Sequence, residues 1–285
     1  GVTEVAHYTA RELRRLGHEV KIVTTRYGGP EAPDPDVIRI GRNILMPMNG
    51  ALVNMTVGLD LVSQLRRIFD REAFDIIHTH CPLVPTLPLM TIAAVRPGQK
   101  LVGTFHAAAD KNLAYRLFRR PLSRRAARLD HRMAVSEAAR RLASRYFPGD
   151  FDIVPNGVDC ERFRPGLEPI ERFRDGRLNI LFVGRLDRRK GVPFLCRALP
   201  LIARELGGGV RLLVVGEKGL RSRMCARPKN LAGAEIAWIG RVSPMDLPRY
   251  YAAADIFCSP AVGQESFGIV LLEAMAAGTA VAASD

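Results

Sequence analysis

Two stretches in the second half of the chain carry residue types suited to gripping a phosphate-bearing ligand. The first is Gly184-Arg185-Leu186-Asp187-Arg188-Arg189-Lys190-Gly191, directly after the apolar run Leu178–Val183. Gly184 lets backbone approach a ligand, Arg185 offers a planar fork to phosphate oxygens, and Lys190 adds a compact positive charge. Taken alone, these residues fit a solvated basic loop equally well. The second stretch runs from Gly263 to Gly278, G-Q-E-S-F-G-I-V-L-L-E-A-M-A-A-G. A helix starting near Phe267 would present free N–H groups and its positive dipole end to an anion. Gly268 permits close approach there. Glu265 lies before the helix and Glu273 within it, so the two carboxylates could reach hydroxyls on different parts of one elongated ligand. The plainer account of Glu273 is an ordinary helix-face charge. That account is weakened by its apolar neighbours, among which a carboxylate needs a partner.

Other candidates carry less. His78 and His80 share one face of a strand by two-residue alternation, which suits a metal, but no third ligand stands near in sequence. Asp34-Pro35-Asp36 is a literal Asp-x-Asp in a Pro-rich loop without an apolar strand before it, and is taken as chance. His7, His18 and His131 suit structural or surface roles, and Trp238 suits the core. From Lys111 to Arg132 the chain places eight basic residues, among them Arg116, Arg119, Arg120, Arg124, Arg125 and Arg128, against Asp130 alone. Leu113, Leu117, Phe118, Leu122 and Leu129 interleave with them. This pattern suits a surface for anionic lipid, which Arg66, Arg67 and Arg71 could extend; a solvated helix face in an Arg-rich chain is the alternative.

The elements that must position these residues alternate between strand and helix. The patterns predict a helix from Val2 to Leu16 and strands at 19–25 and 37–40. A helix at 59–71, a strand at 75–80 and an apolar helix at 85–95 follow. Next come a strand at 100–105 that ends at His106, a basic helical segment at 111–129, and a strand at 132–135. A helix capped by Ser136 then leads to a strand at 151–154. Residues 160–177 read as a linker. A second series has strands at 178–183, 210–215, 235–239, 255–259 and 280–283, with helices at 192–206, 220–232, 244–253 and 267–277. Such alternation predicts parallel sheets with right-handed crossovers, arranged as two Rossmann-like α/β domains over residues 1–168 and 169–285. The opening helix has no strand before it, so a first strand is expected upstream of Gly1; the expected fold is clipped at both ends.

Composition narrows the class. The 285 residues are 47% hydrophobic and 25% charged, a globular balance. The net charge of +13 points to an anionic partner. Arginine outnumbers lysine 36 to 6, which a GC-rich genome also produces, so arginine abundance alone says little. The longest apolar run, Leu83–Val95, has 13 residues with two prolines inside, too short to span a bilayer. The five cysteines are scattered without a C-x-x-C, which argues against a zinc ribbon or disulfide framework and for a reducing, cytoplasmic setting. No recognition motif for nucleic acid is present, and no G-x-G-x-x-G supports a nicotinamide cofactor.

The two motifs together resemble the donor half of GT-B glycosyltransferases of the retaining, metal-independent type (glycosyltransferase family 4-like). The resemblance extends over nearly the whole chain: Gly1-Val2 is similar to the end of the family's first Gly-rich loop, Leu16–Val20 to its helix-to-strand turn, and Pro155–Asp159 to the segment closing its first domain. Thr104-Phe105-His106 and Gly263–Asp285 look most like phosphatidylinositol α-mannosyltransferases. The resemblance implies an N-terminal acceptor domain and a C-terminal domain for a nucleotide-sugar donor, GDP-mannose first among candidates, facing a central cleft. Arg185 and Lys190 would hold the donor diphosphate, and Glu265 would contact the transferred sugar. Ser266 and the backbone of Phe267, Gly268 and Ile269 would lie near sugar and phosphate, beside Gly184. Glu273 would bind ribose hydroxyls, and Gly240-Arg241-Val242 would frame the base. Gly1 would face the diphosphate, and His106 would sit beside the reaction centre. It implies no cofactor, a lipid or glycan acceptor, and a place on the inner face of the plasma membrane. Alternatives at this stage are a soluble sugar or polysaccharide acceptor, a nucleotide-sugar epimerase, and a non-catalytic binding module.

Overall fold

The computed structural model describes residues 2–26, 34–48, 51–216, 231–263 and 265–284. The chain divides into two compact units, Gly1–Asn156 and Gly157–Asp285. This division falls earlier than the sequence-based boundary at 168/169. The reason is packing: Phe163 and Phe173, in the segment read as a linker, are buried in the core of the second unit with Leu181, Leu213 and Tyr251.

In the first unit, helix α1 (Val2–Arg15) leads to strand β1 (Ile22–Arg26), which pairs in parallel with β2 (Val37–Met48). β2 then pairs antiparallel with β3 (Ala51–Val57). The expected strand at 37–40 is therefore much longer, and β3 was not expected at all. Gly41 and Pro47 look like strand breakers in the sequence. Pro47 is tolerated because β1 pairs with β2 only as far as Arg42, so the later part of β2 has a single neighbour among the described residues. Helix α2 (Leu61–Glu72) and strand β4 (Ile76–His80) follow, then α3 (Leu87–Ala94) and β5 (Lys100–Phe105). The basic segment forms two helices, α4 (Leu113–Leu117) and α5 (Arg119–Ala126), where one was expected. Pro121 accounts for the break, since its ring would clash with the Leu117 carbonyl in a continuous helix. Strand β6 (His131–Ala134), helix α6 (Glu137–Tyr146) and strand β7 (Asp152–Ile153) complete the unit. Ser136 caps α6 as expected, its side chain accepting from the Ala139 N–H at 3.1 Å. Strands β4-β5-β6-β7 form a second, wholly parallel sheet.

The second unit is one parallel sheet with strand order β10-β9-β8-β11-β12. Its strands are β8 (Leu178–Val183), β9 (Val210–Val215), β10 (Glu235–Gly240), β11 (Ile256–Ser259) and β12 (Ala280–Ala283). Helices α7 (Val192–Glu205), α8 (Leu247–Ala252) and α9 (Ile269–Ala276) lie between strands. The expected helix at 220–232 falls mostly outside the described residues. Alternation builds two cores, one on each sheet face. Ile180, Phe182, Leu212 and Val214 face one, and Leu181, Val183, Leu213 and Val215 face the other.

Candidate functional site

The strand order of the second unit reverses between β8 and β11. The chain runs outward from β8 through β9 to β10, then returns to lay down β11 and β12 on the other side. Ligands of open α/β sheets bind at the carboxyl ends of strands at such a switch point. Both sequence motifs start there: Gly184–Gly191 leaves β8, and Pro260–Gly268 leaves β11.

The two loops touch. The Val262 N–H donates to the Arg189 carbonyl at 2.8 Å. Gly191 has φ 70°, and a Cβ at that position would lie 1.6 Å from the Pro260 carbonyl oxygen. Only glycine fits there. Across this seam the Lys190 ammonium pairs with the Glu265 carboxylate, their side chains 21% and 34% exposed. Asp187 organises the basic loop: its Oδ1 accepts from the backbone N–H groups of Arg189 and Lys190, each at 3.1 Å. Its Oδ2 faces the guanidinium groups of Arg189 at 3.2 Å and Arg185 at 3.8 Å. Leu186 is buried and anchors the loop, while Arg185 stays exposed.

Glycines extend the floor of the site. Gly184, Gly216 and Gly240 end the neighbouring strands β8, β9 and β10, all with positive φ. The Gly184 N–H donates to the Val215 carbonyl at 3.0 Å and the Gly216 N–H to the Gly240 carbonyl at 2.8 Å. A Cβ on Gly216 would lie 1.8 Å from the Gly184 carbonyl oxygen. Arg241 is exposed beside this ledge, and Val242 packs into the core. On the β11 side, buried Gly268 has φ 77° and ψ 55°, and α9 begins after it without a side-chain cap. Ser266, Phe267 and Ile269 are half-buried around that start. Glu273, one turn further, accepts a hydrogen bond at 2.8 Å from the hydroxyl of the buried Tyr251.

The structure therefore brings Gly184, Arg185, Lys190, Glu265 and Gly268 to one sheet edge, with Gly240 on the adjoining ledge. Sequence reasoning missed Asp187, Gly216 and Tyr251. An aspartate ahead of two backbone donors and a glycine ending the run L-L-V-V were available signals. Tyr251 gave none, because its partner lies far along the chain. Gly1 and Gln264 lie outside the described residues.

His106 belongs to the first unit. It follows β5 and is 8% exposed. Its Nε2 lies 2.9 Å from His80 Nδ1, and His78 Nε2 lies 2.7 Å from Thr104 Oγ1. The His78 and His80 rings are 4.5 Å apart, and those of His80 and His106 are 5.1 Å apart. Burial and the neighbouring imidazoles push His80 down to about 3 and His106 down to about 4, so both rings are neutral at physiological pH. Among the described residues, no three His, Cys, Asp or Glu side chains converge as metal ligands.

The six arginines of α4, α5 and the following turn are all exposed, and none is ion-paired among the described residues. Arg119 donates to the Tyr146 carbonyl and Arg128 to the Val95 carbonyl. Leu113, Leu117 and Phe118 stand 66%, 68% and 58% exposed beside them, whereas Leu129 is buried. No helix among the described residues is long and apolar enough to cross a membrane.

Residues 1–162 match the family described as Glycosyltransferase Family 4, and residues 164–285 match that described as Glycosyl transferases group 1. The chain belongs to glycosyltransferase family 4. Among the relatives of this glycosyltransferase, the phosphatidyl-myo-inositol mannosyltransferase of Mycolicibacterium smegmatis is 35% identical over 100% of the chain and 72% of its own length. A D-inositol 3-phosphate glycosyltransferase of Pseudarthrobacter chlorophenolicus is 32% identical over 96% of the chain and 71% of its length. Sucrose-phosphate synthase from Thermosynechococcus elongatus has a similar fold, with a TM-score of 0.70 at 20% identity over 99% of this chain and 75% of that one. The fold is thus GT-B, with two Rossmann-like α/β domains. Membership in a transferase family sets aside the epimerase and the non-catalytic module.

Proposed function

We propose that this glycosyltransferase moves a mannosyl residue from GDP-mannose to phosphatidylinositol on the inner face of the plasma membrane. The second unit takes the donor and the first the acceptor. The observation that carries the reading is the Lys190–Glu265 pair at the switch point of the donor sheet, between Arg185 and the start of α9. Breaking a sugar–phosphate bond leaves negative charge on the departing nucleotide, and fixed positive charge is what stabilises it. Arg185, Lys190 and the first turn of α9 supply that charge from this chain's own groups, without a metal ion. The glycine ledge lets backbone approach the diphosphate. Glu265 meets hydroxyls of the transferred sugar, Glu273 those of the ribose, and Gly240-Arg241-Val242 the base.

Retention then follows from attack on the face the phosphate leaves, the phosphate oxygen accepting the proton of the acceptor hydroxyl. Glu265 is a carboxylate that could act instead as a nucleophile. Its engagement with Lys190 favours a hydrogen-bonding role. His106 is assigned to the reacting sugar by family resemblance. With its Nε2 facing His80, Nδ1 is the ring nitrogen left for a hydroxyl.

The mannosyl and phosphatidylinositol assignments draw on the 35% identical relative, and the membrane assignment on the exposed Arg and Leu–Phe surface of α4 and α5. A soluble inositol phosphate acceptor is the second reading, favoured by the 32% identical relative. Nucleotide release from a panel of donors, run with phosphatidylinositol vesicles and with inositol phosphate, tests both. Release that needs GDP-mannose and the vesicles supports the first reading, and release that needs only the soluble acceptor supports the second.

A further inference from the structure

We infer that Tyr251 is a positioning residue for nucleotide recognition: its buried phenol holds the Glu273 carboxylate in the orientation that receives the ribose hydroxyls. The inference rests on reading Glu273 as the ribose ligand. Tyr251 is fully buried on α8, its ring packed edge-on against Phe163 at 5.7 Å and tilted against Phe257 at 5.6 Å. Its carbonyl accepts from the buried Thr279 hydroxyl at 2.9 Å, so its backbone is tied as well as its ring. The phenol lies 2.8 Å from Glu273 Oε2 and 3.3 Å from the Val270 carbonyl.

A phenol has one hydrogen to give, and a carboxylate oxygen at the shorter distance is the stronger acceptor. Burial and the adjacent carboxylate keep the phenol protonated, so it acts as a donor throughout the working pH range. Glu273 sits in the apolar run I-V-L-L-E-A-M-A, on a side chain with three rotatable bonds. A charge-assisted bond from a fixed phenol removes much of that freedom before the nucleotide arrives. The carboxylate so held is the group that receives the vicinal diol. Affinity gained in this way is preorganisation, and it concerns the ribose hydroxyls alone.

The test compares GDP and UDP with their 2′,3′-dideoxy forms, binding measured by calorimetry on the intact chain. The wild type should prefer the ribose form of whichever nucleotide it binds. Tyr251→Phe keeps the ring packing, and should weaken the ribose form about tenfold while leaving the dideoxy form within twofold. In a Glu273→Ala background, Tyr251→Phe should add no further loss. Equal weakening of both forms by Tyr251→Phe, or no change in either, overturns the inference. If Glu273→Ala leaves the ribose preference intact, the ribose reading itself fails. If Glu273→Ala abolishes the preference and Tyr251→Phe does not, the positioning role alone fails. Binding of neither nucleotide overturns both.

Discussion

Replacing Lys190 with alanine separates catalysis from folding in the second unit. The ammonium pairs with Glu265 at a seam where both side chains keep part of their solvent contact, 21% and 34% exposed. A pair so placed contributes about 1 kcal/mol or less to stability, and Tm should fall by no more than about 3 °C. The effect on transfer is larger. A phosphate oxygen about 4 Å from Nζ, at an effective dielectric constant of about 20, interacts with it by about 4 kcal/mol. The bound diphosphate already carries charge in the ground state, so only the charge that develops on bond cleavage counts toward kcat. Loss of one such preorganised contact lowers kcat on the order of 10²- to 10³-fold. The assay is nucleotide release with acceptor present, alongside thermal unfolding. Lys190→Arg retains the charge and the partner Glu265, and should keep a larger share of kcat than Lys190→Ala. A Lys190→Ala protein that melts like the wild type and turns over within threefold of it refutes the assignment of Lys190 to the leaving diphosphate.

Three further outcomes follow from the geometry. Asp187→Ala removes the acceptor of the Arg189 and Lys190 N–H groups, and should lower kcat on the order of tenfold with little change in KM for acceptor, checked by steady-state kinetics. His80 and His106 have folded pKa values depressed below the ordinary 6.5 by burial, so the unfolded chain binds their protons first. The stability they contribute is present above pH 6.5 and is lost as pH falls toward 4 and then 3; the fall in Tm over pH 6.5–4.5 should be shallower in His80→Gln than in the wild type. Reversing Arg120, Arg124 and Arg125 to glutamate should cut binding to anionic vesicles on the order of a hundredfold at low salt, measured by sedimentation, with soluble nucleotide binding unchanged.

Much of the second unit was legible in the sequence because its central strands β8 and β9 are buried on both faces and its turns end in glycine. The runs 178–183, 210–215 and 280–283 match the observed strands residue for residue. Arg185, Lys190, Glu265 and Gly268 could be placed together because parallel-sheet topology puts the ends of successive strands on one edge. The first unit was less legible. β3 lies among residues with no clean alternation, and β2 carries a glycine and a proline that only its pairing explains. The contacts between side chains distant in sequence had no signature at all. The Tyr251–Glu273 bond, the His80–His106 pair and the burial of Phe163 and Phe173 depend on tertiary packing. The boundary between units shifted for the same reason: charge and proline content suggested a linker, and two aromatic side chains decided otherwise.

The most direct test of the central claim follows the sugar itself. Incubation of the protein with GDP-mannose labelled in the sugar, and with vesicles containing phosphatidylinositol, is followed by partition into organic solvent and NMR of the lipid product. The account predicts label in the lipid phase, dependent on phosphatidylinositol and unaffected by chelator, with an α-linked mannose from the α-linked donor. Label that stays in water with every acceptor lipid, or a β-linked product, would contradict it.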